Sequence, residues 1–254
     1  MIKSENIKLK SNFDLEARIL KPKNSDKAIV IAHQFRGSMN SLACFDAAQI
    51  LSNNNYTTLS FDFLGHGKSG GPLRELSFET VSENVSDAIK YLRNQGYPKV
   101  GVYAISIGTI ATALSKEKPD AQIFVNPAPL YSPKGLLERY SKDIENQKDL
   151  LEKEGYITAT SGSGRGNFEM GKRWILEMQN DKGEIQDAYK KSRIPTLIIQ
   201  GTEDPFGKDG LNFVKNFGGD YLEIEGADHD FTNSDLRKEA IEKAVTFFNK
   251  NLYY

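Results

Sequence analysis

Residues 100–108 read Val-Gly-Val-Tyr-Ala-Ile-Ser-Ile-Gly. The first five predict a buried strand, and Ser106 then leads into a short helix predicted over 107–117. Ala104 and Gly108 stand two positions before and after the serine, where a tight strand-to-helix turn needs small residues because larger ones would collide with backbone. Such a turn exposes the Ser106 hydroxyl beside the free amides of a helix N-terminus. Taken alone, the pattern also fits a serine that caps a helix.

Outward from this turn, short apolar runs alternate with amphipathic segments, which is typical of a parallel sheet flanked by helices. The predicted strands comprise a starting hairpin and six further segments, at 5–10, 14–20, 28–32, 57–63, 100–104, 121–125, 195–200 and 220–225. The predicted helices cover 40–54, 78–95, 107–117 and 235–250. The fold class is therefore α/β, with a mostly parallel central sheet flanked by helices.

The apolar alternation stops between residues 131 and 190, where charged and helix-favouring residues dominate. We interpret this block as a helical cap inserted into one core domain formed by residues 1–130 and 191–254. A Gly/Ser-rich stretch at 161–166 favours a turn between cap elements over a disordered linker.

A serine hydroxyl becomes a useful nucleophile near neutral pH when a base takes its proton. His229 lies in a polar loop after the last predicted strand, at the same sheet edge as Ser106. Asp204 follows the preceding strand and can orient the imidazole, with Glu203 as the competing carboxylate. Three such groups at successive strand ends, in the chain order serine, acid, histidine, are far more specific than any one of them. The sequence thus predicts Ser106, Asp204 and His229 as catalytic residues.

Acyl transfer also needs donors for the oxyanion that forms on the carbonyl. We expect the backbone N–H of Ile107, directly after the serine, and that of Phe35, in the loop after the strand at 28–32, to supply them. His33 is interpreted as a structural residue beneath that loop. His66 lies in a Gly-rich turn that needs no catalytic explanation, and Lys68 there does not open a helix as a phosphate-binding loop requires.

Bulk properties exclude several classes of partner. The chain has 254 residues, 26% charged residues and a formal net charge of -1, so no long-range field attracts nucleic acid. No apolar run approaches the roughly 20 residues that span a bilayer, and the N-terminus lacks an apolar secretory stretch, which predicts a cytoplasmic protein without a membrane segment. Cys44 is the single cysteine, so an internal disulfide and a structural zinc site are excluded, and we expect its thiol to be buried. No metal or cofactor is expected, because the side chains named above supply the nucleophile, the base and the charge stabilisation.

The chain resembles α/β-hydrolases of the group that includes monoacylglycerol lipases, bacterial cinnamoyl or feruloyl esterases and serine aminopeptidase-like hydrolases. The resemblance rests on the segments 33–35, 61–69, 104–108, 201–204 and 225–229. It implies the same triad, Ser106, Asp204 and His229, and the amides of Phe35 and Ile107 as the oxyanion hole. Two departures are Ala104, where the family usually has Gly, and Gln34, where it usually has Gly after the histidine.

These observations predict a serine hydrolase that cleaves carboxylic esters of small or medium acyl or aromatic acids through an acyl-enzyme, with a small-molecule ester as its partner. An amidase, peptidase or thioesterase with the same triad stays open, as does a ligand-binding protein without catalysis. Dehalogenases and epoxide hydrolases of this fold are disfavoured because they carry aspartate in place of Ser106. A homodimer through the cap or the last helix also stays open. Candidates for lining the acyl pocket are Tyr131, Leu136, Leu137, Tyr140, Phe168, Trp174 and Ile175.

Overall fold

The computed structural model describes residues 2–11, 13–127, 133–160, 166–190, 192–207 and 218–252. Strands in this part of the chain are β1 Lys3–Lys10, β2 Asp14–Lys21, β3 Lys27–Ala32, β4 Thr57–Phe61, β5 Lys99–Ile105, β6 Ala121–Val125, β7 Tyr156–Ala159, β8 Phe168–Gly171, β9 Thr196–Gly201 and β10 Asp220–Ile224. Helices are α1 Leu42–Asn53, α2 Phe78–Asn94, α3 Ile107–Leu114, α4 Pro133–Glu138, α5 Ser141–Asn146, α6 Lys148–Glu154, α7 Lys172–Asn180, α8 Glu184–Lys190 and α9 Ser234–Leu252.

Eight strands form one sheet in the order β1-β2-β4-β3-β5-β6-β9-β10. The first two pairings, β1 with β2 and β2 with β4, are antiparallel, and every later pairing is parallel. This arrangement confirms the predicted α/β fold with its mostly parallel sheet and starting hairpin. Because parallel strands run in one direction, the loops after β3, β5, β6, β9 and β10 all leave from one edge.

The central strands are buried on both faces, which explains why their sequences are mostly apolar. Val102 and Phe124 pack on one face, in the core that includes residues of α2 and α3. Tyr103 and Ile123 pack on the other, in the core that includes residues of α1 and α9. Cys44 is fully buried in this second core, and burial raises the pKa of its thiol.

Strand β4 ends at Phe61, two residues earlier than predicted, because the backbone N–H groups after Asp62 have partners outside the ladder. The Phe63 N–H donates to His33 Nε2 at 2.9 Å, and the Leu64 N–H donates to Asn84 Oδ1 at 3.1 Å. Helix α3 ends at Leu114, earlier than the predicted 117, because the backbone of Ser115 leaves the helical conformation, with φ −56° and ψ 141°. The Ser115 hydroxyl then donates to Thr112 O at 2.7 Å.

The block predicted as a helical cap contains α4 to α8 and, in addition, a small antiparallel sheet of β7 and β8. The two strands have four residues each, too few for a period-2 pattern to stand out from the surrounding charged sequence. Ile157 and Met170 face each other across them and are fully buried. Division of the chain into a core domain and a cap at 131–190 stays a prediction, and residues 161–165 of the predicted turn lie outside the described ranges.

None of the helices within the described ranges combines the length and the apolar character that crossing a membrane requires.

Candidate active site

Ser106 occupies the turn between β5 and α3, with φ 52° and ψ −115°. Positive φ is uncommon for a residue other than glycine and persists where the surroundings enforce it. Here the Ser106 N–H donates to Val125 O at 3.0 Å, and a Cβ on Gly108 would lie 2.6 Å from Ala32 O. Ala104 is completely buried, so the departure from glycine at that position is accommodated within the core. The turn predicted from the sequence is thus present in the structure.

His229 lies in the loop between β10 and α9, and its Nε2 is 3.1 Å from Ser106 Oγ. This is hydrogen-bond distance, so the imidazole can take the hydroxyl proton directly. The ring of Phe206 packs edge-on against the His229 ring, with 5.0 Å between the ring centroids. Further out, the guanidinium of Arg139 lies 4.5 Å from the centroid of the Phe206 ring.

Asp204 is buried at the end of β9, and its Oδ1 lies 3.0 Å from His229 Nδ1. The angle at this nitrogen falls short of a well-formed hydrogen bond, as is common in hydrolases without bound substrate. Glu203, the competing carboxylate, is exposed. The structure therefore places Asp204, and not Glu203, against the imidazole.

The Asp204 carboxylate is held by two further donors. The Phe206 N–H donates to Oδ1 at 2.9 Å, and the side-chain amide of Gln200 donates to Oδ2 at 3.0 Å. Burial alone would raise the pKa of Asp204, but the contact with His229 and these two hydrogen bonds outweigh it and leave the pKa below its usual value. The carboxylate is consequently ionised at neutral pH.

The predicted oxyanion loop begins after Ala32, which pairs with Ala104 in the sheet, and it therefore lies beside the turn that holds Ser106. The Arg36 N–H donates to His66 Nε2 at 3.0 Å, which fixes the backbone next to Phe35. No described residue accepts the Phe35 N–H. Ile107 is the first residue of α3, so its N–H has no acceptor within the helix. Neither predicted amide has an acceptor among the residues that the structure describes.

His33 and His66 hold this loop as neutral rings. His33 accepts the Phe63 N–H at Nε2, and its Nδ1 lies 2.7 Å from Gln34 O, so Nδ1 carries the proton. His66 accepts the Arg36 N–H at Nε2, and its Nδ1 lies 2.9 Å from Leu64 O. Burial lowers the pKa of His33 to about 3 and also lowers the pKa of His66. The two rings therefore serve as fixed connectors between backbone segments.

The profile of the family described as serine aminopeptidase, S33, matches residues 23–152, just over half of the chain. The chain belongs to this family of hydrolases. The predicted resemblance to the wider group of α/β-hydrolases is confirmed.

The sequence of this S33-family chain is similar to those of a carboxylesterase and an acyl transferase. A carboxylesterase from Bacillus subtilis (strain 168) is 27% identical over 197 residues, which cover 76% of this chain and 79% of the relative. An acyl transferase from Shewanella hanedai is 24% identical over 218 residues, which cover 81% of this chain and 68% of the relative.

Solved structures show the same fold. Est1E from Butyrivibrio proteoclasticus with bound ferulic acid superposes with a TM-score of 0.80 at 20% identity, covering 98% of this chain and all of that one. The α/β-hydrolase GrgF from Penicillium sp. sh18 gives a TM-score of 0.79 at 15% identity, with 99% and 100% of the two chains covered. At these identities the likeness establishes architecture alone.

Gln34 stands where the α/β-hydrolases that this S33-family chain resembles usually have glycine. It is buried, with 6% of its surface exposed. Its amide nitrogen lies 3.4 Å from Asp230 Oδ1, one residue beyond the catalytic histidine candidate, and so connects the oxyanion loop to the histidine loop. Its Oε1 is buried and accepts no hydrogen bond from the described residues. Gln34 thus adds bulk to the predicted oxyanion loop, together with an acceptor that has no donor among the described residues.

Aromatic side chains join this loop to the cap. The partly exposed ring of Phe35 meets the rings of Phe168 and Trp174, each with 5.2 Å between centroids. Phe168, Trp174 and Ile175 are buried, whereas Leu137 and Tyr140 are half-buried. A role of these five residues in the acyl pocket stays a prediction. Tyr131 and the side chain of Leu136 lie outside what the structure describes.

The described residues contain no group of three or more His, Cys, Asp or Glu side chains arranged to hold a metal ion.

Sequence reasoning missed two residues of the site, Asn126 and Gln200. Both are buried amides that connect the loop of Asp204 to its surroundings, and Asn126 also reaches the loop of His229. Asn126 follows the apolar run 121–125 directly, so a polar residue at a strand's carboxyl end was a signal for it. Gln200 stood within an apolar strand, where an isolated polar side chain gave the corresponding signal.

Proposed function

We propose that this protein is a serine esterase that cleaves carboxylic esters of small or medium acyl or aromatic acids through an acyl-enzyme on Ser106. The observation that carries the proposal is the unbroken line of contacts from Ser106 Oγ to His229 Nε2 at 3.1 Å and from His229 Nδ1 to Asp204 Oδ1 at 3.0 Å. Similarity to a carboxylesterase and to a structure that binds ferulic acid supports the ester as substrate.

In the first half-reaction Ser106 Oγ attacks the ester carbonyl while His229 Nε2 takes the hydroxyl proton. The carbonyl oxygen becomes an oxyanion, which the N–H groups of Phe35 and Ile107 stabilise. Collapse of this intermediate expels the alcohol, which leaves with the proton from His229. The acyl group is then bound to Ser106.

In the second half-reaction a water molecule gives a proton to His229 and attacks the acyl-enzyme. A second oxyanion forms in the same hole, the bond to Ser106 Oγ breaks, and the serine recovers its proton from His229. Asp204 stays ionised throughout and stabilises the imidazolium that forms in each half. Its lowered pKa is consistent with that role.

The second candidate is hydrolysis of an amide, peptide or thioester by the same three residues. The description of the matched family as serine aminopeptidases favours this reading. A non-catalytic ligand-binding protein is the remaining alternative. The cytoplasmic location and the homodimer predicted from the sequence stay predictions.

The deciding experiment measures hydrolysis of p-nitrophenyl esters from acetate to palmitate, aryl cinnamates and an aminoacyl anilide. Ser106→Ala is compared with Ser115→Ala, a buried serine just beyond the other end of α3. The proposal expects ester turnover that Ser106→Ala abolishes and Ser115→Ala preserves, with covalent fluorophosphonate labelling at Ser106. Turnover that survives Ser106→Ala refutes the nucleophile. Preferred cleavage of the anilide selects the second candidate, and absence of both labelling and turnover selects the binding protein.

A further inference from the structure

Asn126 stands immediately after β6 in a left-handed backbone conformation, with φ 43°. Its side chain is 1% exposed, and asparagine is among the few residues other than glycine that adopt this conformation readily. Strand β6 lies between β5, which leads to Ser106, and β9, which leads to Asp204.

On the acid side, Asn126 Oδ1 accepts two hydrogen bonds. One comes from the Gly201 N–H at 2.8 Å, and the other from Gln200 Nε2 at 3.0 Å. The same Gln200 nitrogen is 3.0 Å from Asp204 Oδ2. The oxygen of Asn126 is thereby connected to the acid through one side chain.

On the histidine side, Asn126 Nδ2 donates two hydrogen bonds. The acceptors are the backbone carbonyls of Asp228 at 3.0 Å and His229 at 2.9 Å. One side chain therefore holds the backbone of the histidine itself.

We propose that Asn126, together with Gln200, is a positioning residue that sets the distance between the Asp204 loop and the His229 loop. The inference rests on the proposed function, since it assigns these loops to one catalytic site. A primary amide offers two acceptor sites and two donor hydrogens, and all four are used here. Aspartate has the same shape but cannot donate to the two carbonyls, and serine has too few groups. Asparagine is the residue that satisfies both loops at once.

A purely structural bond between β6 and β9 is the competing explanation, and the same strand provides a control. Gln122 is a buried amide near the start of β6, and its Nε2 donates to Thr196 Oγ1 at 2.9 Å across to β9. It also lies 3.4 Å from Ser192 Oγ. Gln122 thus bridges the same two strands as Asn126, at the opposite end from the triad.

The experiment compares Asn126→Ala, Asn126→Asp and Gln122→Ala with the wild type. For p-nitrophenyl acetate we expect both Asn126 variants to lose about 10- to 100-fold in kcat with little change in KM, because the triad is misaligned while the acyl pocket is untouched. Asn126→Asp keeps the shape and the acceptor contacts, so it serves where the alanine variant is too unstable. Gln122→Ala should keep kcat within about threefold of the wild type even if it lowers Tm as much as the Asn126 variants do. The buried hydrogen bond that it removes, to Thr196, lies away from the triad.

Equal kcat losses in Gln122→Ala and the Asn126 variants at matched Tm would overturn the positioning role. A second readout separates this result from failure of the esterase proposal. The low-field proton NMR signal of a histidine Nδ1–H bonded to a carboxylate should weaken or shift in the Asn126 variants and persist in Gln122→Ala. If the wild type neither turns over esters nor reacts with a fluorophosphonate, the proposed function fails, and the NMR comparison alone decides whether Asn126 aligns Asp204 with His229.

Discussion

The carbonyl oxygen of Ala32 lies 2.6 Å from the position that a Cβ would take on Gly108. The end of β3 and the first turn of α3 are therefore packed with backbone against backbone. This close approach places the predicted oxyanion loop, which starts at His33, beside the turn of Ser106. Glycine at position 108 is a geometric requirement of the candidate site.

Gly108→Ala should lower both stability and activity. Alanine is favoured over glycine inside a helix by about 1 kcal/mol, but a contact of this length with backbone forces β3 and α3 apart, which costs about 1–3 kcal/mol. We expect a lower free energy of unfolding in urea and a reduced kcat for p-nitrophenyl acetate. Gly70→Ala is the matched control, since a Cβ there would meet nothing closer than 3.5 Å. Equal behaviour of the two variants would contradict the steric argument.

Asp204→Asn should reduce kcat by about 10⁴-fold, because an amide neither selects the required imidazole tautomer nor stabilises the imidazolium. Glu203→Gln should stay within about threefold of the wild type, since that side chain is exposed and surface changes of this kind have small effects. Steady-state kinetics on one ester, with circular dichroism to establish folding, measures both. The assignment of the acid would be wrong if Glu203→Gln were the more damaging substitution.

The cap should be anchored to the core by Glu177 of α7, whose Oε2 accepts the Phe78 N–H at 2.6 Å. Phe78 is the first residue of α2, so its N–H has no acceptor within the helix. Glu177→Ala removes a bond worth about 1–3 kcal/mol, and we expect faster hydrogen–deuterium exchange in α7.

Glu152→Ala provides the control for this cap substitution. Glu152 is an exposed glutamate of α6 whose carboxylate lies 3.0 Å from Lys172 Nζ at the start of α7. An exposed ion pair contributes little, so exchange in α7 should stay near the wild-type rate. Similar exchange in both variants would show that Glu177 does not anchor the cap.

The sheet could be predicted from the sequence because its strands are buried on both faces. The run at 28–32 is wholly apolar, and that at 121–125 is apolar except for Gln122, a composition typical of a strand buried on both faces. Strands β7 and β8 could not be predicted in the same way, because only one face of this four-residue pair is buried. Their fold depends on contacts far away in sequence, such as that of Gly171 with Arg74 O.

The three candidate catalytic residues could be proposed because serine, acid and histidine each follow a strand, and strand ends converge in a parallel sheet. The roles of the supporting side-chain amides, Asn126 and Gln200, could not be predicted from the sequence. The role of Asn126 depends on the backbone carbonyls of Asp228 and His229, which belong to a loop about a hundred positions later. Every residue has a backbone carbonyl, so the residue types in the sequence do not reveal which carbonyls accept these hydrogen bonds.

Acidification should destabilise the fold through His33 and His66. Each ring is buried as the neutral form, accepting a backbone N–H at Nε2, so protonation would break that bond and bury a charge. The folded pKa of His33 is about 3 and that of His66 is also lowered, while both rings in the unfolded chain titrate near the ordinary value of 6.5. The unfolded state therefore binds more protons below that pH. The stabilisation is fully present above about pH 6.5 and is lost as the pH falls towards the folded pKa values.

Urea unfolding at about pH 7.5 and about pH 5 measures this loss, in a window where carboxylates titrate little. His33 alone should account for about 2 kcal/mol of lost unfolding free energy, since each pH unit below 6.5 contributes about 1.4 kcal/mol, and His66 should add to it. His33→Gln lowers the stability at the higher pH but should flatten its pH dependence, and the double variant with His66→Gln should flatten it further. A double variant that loses as much stability on acidification as the wild type would show that other groups bind the protons.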